Sequence, residues 1–226
     1  HAWYQQRVRL TAACVSVLLC AACAQPSQPP PPPVPEVPAN LTVKPARIDR
    51  ARDDLPAGYE VTGYTGAPAP FAAWGFRDSA VSDPVQCATL GAPSVDAATT
   101  VGWTTSGPGG IVYAVVASAS PGAVPDPAVV ADCGRWTVTS GPSTGTVTGL
   151  PGPDIAAADT IGMNTAATTV VEGGTQTRLH AETFVAYLGE YVCFVAVVTD
   201  PGSPQPALGA GFASDLLVKT VSTLRG

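Results

Sequence analysis

Short apolar runs punctuated by glycine and proline set the rhythm of most of this chain, and they predict a sheet. Tyr59–Thr65 predicts the strand that opens the domain. Val101–Ser106 and Ile111–Ser118 flank Gly107-Pro108-Gly109-Gly110, the punctuation of a hairpin. The second of these runs, IVYAVVAS, is apolar enough to lie centrally. Arg135–Ser140 and Thr144–Leu150 predict another hairpin. Thr160–Thr165, Thr168–Glu172 and Thr175–Leu188 follow, with a turn at Gly173-Gly174, and Gly189-Glu190 reverses the chain into Tyr191–Thr199. Such short connections force antiparallel neighbours.

Helical signals are fewer. Ala46–Asp54 is a charged stretch of one or two turns stopped by Pro56-Ala57-Gly58. Asp83-Pro84 and Asp126-Pro127 each start a short helix, Val85–Leu90 and the segment ending near Cys133-Gly134. From Gly211 to Leu224 the period changes. Phe212, Leu216, Leu217, Thr220, Val221 and Leu224 share one face of a helix that should lie across the sheet. The expected fold class is therefore α+β: a twisted antiparallel sheet carrying two short helices and a longer C-terminal one.

The first part of the chain follows other rules. Arg7 and Arg9 precede a run of about thirteen apolar residues, Leu10–Ala22, too short for the roughly twenty a spanning helix needs. It fits a signal peptide over residues 1–22. Leu18-Leu19-Cys20-Ala21-Ala22-Cys23 resembles a bacterial lipobox, which makes Cys23 the lipidated residue, although Cys20 stands where leucine is usual. The alternative is a plain secretory signal cut near Ala24. Residues 23–45 are then a proline-rich tether expected to run as polyproline II, reaching roughly 60 Å at about 3.1 Å per residue. Residues 46–226 form a single domain.

Composition narrows the partners. The formal net charge is −6, and loss of Arg7 and Arg9 with the leader leaves nine bases against seventeen acids, or −8. That surface repels phosphate backbones, so no nucleic-acid partner is expected. The membrane is reached through the lipid anchor. The domain itself is expected to bind a small molecule, a lipid or an envelope protein, at the outer face of the cytoplasmic membrane.

Three cysteines remain beyond the anchor: Cys87, Cys133 and Cys193. Cys193 sits inside an apolar strand, whereas Cys87 and Cys133 flank short helices at turn-rich boundaries. The expected disulfide is Cys87–Cys133, with Cys193 bonded to either as the alternative. No Cys-x-x-Cys exists and one histidine follows the leader, so neither metal nor cofactor is expected.

Catalysis has one candidate. Gly141-Pro142-Ser143-Thr144-Gly145 matches G-x-S-x-G, with His180 as the base. That motif needs a strand entering and a helix leaving. Here WTVTS and TVTGL flank it and both predict strands, so Ser143 reads as a turn residue and the domain as non-enzymatic. A serine hydrolase and a structural adaptor are the alternatives. Trp74, Trp103 and Trp136 are core or, alternatively, the lining of a cleft.

Several stretches together carry a resemblance. The lipobox and proline tether, LPAGYEV (Leu55–Val61), WGF (Trp74–Phe76), SGPGGIVYAVV (Ser106–Val116), CGRW (Cys133–Trp136), VVEGGTQTR (Val170–Arg178) and LLVKTVSTLRG (Leu216–Gly226) look like the mycobacterial LppI-type lipoproteins, a family without an assigned function. The order of cysteines and final helix is more distantly similar to the extracellular sensor domain of PknH-type serine/threonine kinases. That resemblance implies a disulfide-bearing module with a ligand cleft, in which Cys87 and Cys133 match the first cysteine pair. Cys193 matches half of a second pair whose partner is missing here.

Overall fold

A computed structural model describes residues 25–33, 41–77 and 79–226. The chain divides into two compact units, residues 1–36 and 37–226. In the first, residues 25–33 are exposed and lack regular structure, as a run of prolines without N–H donors must. Cys23 and the apolar run before it lie outside the described residues.

The second unit is built on nine strands: β1 (Glu60–Gly63), β2 (Val81–Asp83), β3 (Val95–Gly107), β4 (Gly110–Ala119), β5 (Arg135–Ser140), β6 (Ser143–Pro151), β7 (Asp159–Val170), β8 (Gln176–Tyr187) and β9 (Tyr191–Thr199). They form one sheet in the order β1-β3-β4-β9-β8-β7-β6-β5-β2. Every neighbouring pair is antiparallel. The α-helices are α1 (Pro70–Ala73), α2 (Ala88–Gly91), α3 (Pro127–Asp132) and α4 (Phe212–Arg225).

This corrects the expected α+β class. The molecule is mostly one large antiparallel sheet, and among the α-helices of the described residues α4 alone exceeds two turns. Strands run through positions that read as breaks in the sequence. Thr160–Thr165 and Thr168–Glu172 are one strand, β7, continuous across Ala166-Ala167. β3 starts at Val95 and absorbs a register shift between Asp96 and Val101, the extra residues that a bulge accommodates. The helix expected over Val85–Leu90 splits into a 3-10 turn, Val85–Cys87, followed by the single turn of α2. Pro45–Asp54 winds as ten residues of 3-10 helix.

Alternation along the strands sorts the core onto two faces. The front face buries Trp136, Val147, Met163, Ala181, Val185, Phe194 and Ala196, with Phe71, Trp74 and Phe76 from α1 and its following turn packed on them. The back face buries Trp103, Val112, Ala114, Val116, Phe184, Cys193 and Val195 beneath α4 and the 3-10 segment. α4 delivers Leu216, Leu217, Thr220, Val221 and Leu224 to that layer. Lys44 N–H donates to the Leu224 carbonyl at 2.8 Å, and Val43 is buried beside it. The incoming chain is thus held at the end of α4. Beyond the reach of α4, the back of β5 and β6 shows Thr137, Thr139 and Thr144 to water, which an antiparallel sheet tolerates.

Both sheet edges are short. β1 has four residues and β2 three, the latter ending at Pro84. A brief edge closed by proline offers little ladder for another strand to join. Sequence reasoning missed β2 because three residues carry no readable period.

Candidate functional site

The cleft follows from where α1 can sit. A row of paired residues crosses the front face: Thr62 on β1, Thr104 on β3, Tyr113 on β4, Ala196 on β9 and Thr183 on β8. Trp74 donates its indole N–H to Thr183 Oγ1 at 2.9 Å. The alanines Ala196 and Ala181, both fully buried, leave room for that ring. Phe71 and Phe76 pack edge-on against it and Trp136 lies tilted beside it, with centroids 5.6–6.3 Å from its own. α1 is therefore pinned over the middle of the sheet, and the loop that leads into it lies beside Thr62, Thr104 and Tyr113.

Between that loop and the strands lies a hollow of about 530 Å³, bounded by Tyr64, Tyr113, Thr62, Thr104, Phe71 and Arg77. This is within the range of small-molecule sites. Tyr64 and Tyr113 meet edge to face with centroids 6.0 Å apart. The Tyr64 hydroxyl donates to the Ala67 carbonyl and closes the loop. Gly66 permits this: a Cβ there would lie 2.6 Å from the Tyr64 oxygen. Gly75, at φ +84, turns the chain after Trp74 so that Phe76 goes inward and Arg77 outward. Burial raises the pKa of both tyrosines; the Tyr113 charge adds to the rise at Tyr64, while Arg77 partly offsets the rise at Tyr113. Both phenols are protonated donors at neutral pH. Among the described lining residues Arg77 is the one charged group.

A second hollow, about 580 Å³, lies beside the loops Ser118–Val124 and Gly189–Tyr191. It is wider open to solvent, its charged lining residue is the carboxylate Glu190, and a single aromatic, Tyr191, borders it. The tyrosine cleft is the better-built site.

The residues singled out in the sequence fall elsewhere. Cys87 and Cys133 are bonded to each other and buried on the front face. Cys193 is a buried free thiol on the back. Ser143 begins β6 and its hydroxyl lies 2.7 Å from Thr169 Oγ1. The register Ser143↔Thr169↔Thr177 sets Ser143 on the same face as Thr177, so His180, three residues further along β8, points to the opposite face. Two strand spacings, roughly 9.6 Å, separate β6 from β8 in addition. Ser143 and His180 cannot form a nucleophile–base pair. The three tryptophans are core. Trp103 donates to the Ile48 carbonyl at 3.1 Å, and Trp136 is buried beside Trp74. No group of three metal-ligating side chains occurs among the described residues. Tyr64, Tyr113 and Arg77 were missed. Tyr113 alone carried a sign, a polar tip inside an otherwise apolar strand.

The buried thiol makes a direct prediction. Burial pushes the Cys193 pKa from 9.0 up to about 12. Folded protein then keeps a proton that the unfolded chain releases, so this contribution is complete below about pH 9 and is lost as pH climbs towards 12. Raised tyrosine values act in the same direction above pH 10. Thermal unfolding followed from pH 8 to 12 should show a steep fall over that upper range, shallower in Cys193→Ala. Iodoacetamide at pH 8 should leave the Cys193 peptide unlabelled until the protein is unfolded.

The sequence model for the domain of unknown function DUF5642 matches residues 44–225. The chain belongs to this family. The match begins at Lys44, where the chain docks on α4, and ends at Arg225, so the DUF5642 domain coincides with the sheet and its covering helices. An uncharacterized protein from Mycobacterium smegmatis, the Rv0999 ortholog, is similar in structure at 16% identity and a TM-score of 0.59, covering 83% of this chain and all of that one. This likeness is one of fold. The extracellular domain of PknH from Mycobacterium tuberculosis matches at 12% identity and a TM-score of 0.42, over 81% of this chain and 92% of that chain. No curated protein matches.

Proposed function

We propose that this is a lipid-anchored, extracytoplasmic lipoprotein of the LppI type whose DUF5642 domain is a non-enzymatic receptor for a small molecule. The observation that carries the binding reading is the cleft between α1 and β1–β3–β4, with its tyrosine walls and single guanidinium. Support for the compartment comes from the lipobox-like run ending at Cys23, the proline tether and the Cys87–Cys133 disulfide, a bond that persists in oxidising surroundings. Anchoring is tested by palmitate labelling in a mycobacterial host. The wild-type chain should incorporate label and partition into detergent, and Cys23→Ser should do neither. Equal labelling of the two would sink the anchor.

Binding is tested on the full chain recovered from envelopes by native mass spectrometry. A bound species of several hundred daltons is expected, released on denaturation. Thr104→Trp, which places a bulky strand-compatible ring on the floor of the cleft, should be recovered without it. Retention of the same species by Thr104→Trp would place the ligand elsewhere.

A further inference from the structure

We propose that the tyrosine cleft takes a small anion bearing a flat apolar ring, with Arg77 holding the acid group; this rests on the cleft being the ligand site. Three observations point the same way. First, the lining is rich in aromatic surface: Tyr64 and Tyr113 meet edge to face, Phe71 joins them, and Gly63 and Gly66 add no side chain. Aromatic side chains accept a ring stacked or tilted against them. Second, polar groups converge on this aromatic lining. Thr62 and Thr104 face the cleft from adjacent strands in register, and the Tyr113 hydroxyl adds a donor. Convergent polar atoms beside aromatic walls orient a ligand.

Third, the charge is of the unexpected sign. The chain is acidic overall, with seventeen acids against eleven bases. Yet the charged group of this cleft is a guanidinium, and no carboxylate appears among the described lining residues. Arg77 is exposed, and its guanidinium presents the planar fork that matches a carboxylate, sulfonate or phosphate. A neutral ring would leave that fork idle; a cationic one would be repelled.

A matched pair of fluorescent probes separates this inference from the reading beneath it. 8-Anilinonaphthalene-1-sulfonate and N-phenyl-1-naphthylamine share a ring system, and only the first carries an anion. The full chain should bind the sulfonate saturably at one site. Arg77→Gln should weaken it at least tenfold while changing the neutral probe less than twofold, and Arg77→Lys should recover part of the loss. Thr104→Trp should abolish both, with an unchanged far-ultraviolet spectrum reporting that the sheet is intact. Unaltered sulfonate affinity in Arg77→Gln, or preference for the neutral probe, would overturn the anion. If the wild-type chain binds neither probe, or if Thr104→Trp binds both undiminished, the cleft itself is not the site and the inference falls with it.

Discussion

Trp74→Ala is expected to destabilise the domain by about 4 kcal/mol, in the range found for removing a large buried aromatic side chain. The ring is 2% exposed and lies among Phe71, Phe76 and Trp136. Its removal opens a void at the middle of the front face and strands the Thr183 hydroxyl, which is fully buried and accepts the indole N–H. Trp74→Phe keeps much of the apolar area but not that bond, so it should cost less, about 1–3 kcal/mol, the penalty for a buried polar group left unpaired. Urea unfolding followed by circular dichroism measures both. A second consequence distinguishes this account from generic core damage: Trp74 pins α1, and α1 forms one wall of the cleft. Ligand binding should therefore fail in Trp74→Ala under conditions where the protein is still folded.

The other large effect belongs to the disulfide. Cys87 and Cys133 are 46 residues apart, and a loop of that length is worth about 4 kcal/mol in the chain-entropy model. The bond ties the end of the 3-10 turn at Val85–Cys87 to the end of α3, two pieces too short to hold position by their own hydrogen bonds. Cys87→Ala/Cys133→Ala should lose most of that amount, and the wild type in strong reductant should match the double variant. Cys193 is buried on the other face of the sheet and should not form a replacement bond.

What could be read from the sequence was local. The hairpin at Gly107–Gly110 is visible because its turn residues sit between two apolar runs, and β3 and β4 do pair through Gly107↔Gly110. α4 is visible because its period of three to four is repeated over four turns. The overall balance was not legible, since nothing local tells Ala166-Ala167 to continue β7 rather than break it; the ladders of β6 and β8 on either side decide that. α1 was hidden for a similar reason. Pro70–Ala73 is a single turn, too short for a period, and is held by Trp74 and Phe71 reaching the sheet.

The cleft was the least legible feature. Tyr64 and Tyr113 are 49 positions apart in the sequence. They meet only because β1 pairs with β3 and β3 with β4 in one particular register. A shift of one residue would send Tyr113 to the back face. Ser143 shows the converse: a five-residue motif matched a catalytic pattern, yet the register placed its supposed base on the other side of the sheet.

The central claim is that the hollow between α1 and β1–β3–β4 is where this domain meets its ligand. Chemical-shift mapping of the folded domain, labelled with nitrogen-15 and with carbon-13 tyrosine, tests it most directly when envelope extract is titrated in. The expected result is saturable shifts at Tyr64, Tyr113, Ala72 and Arg77, with the exposed threonines of β5 and β6 unmoved. Shifts confined to that threonine face or to the loop Ser120–Val124, with the tyrosine rings unperturbed, would contradict the account.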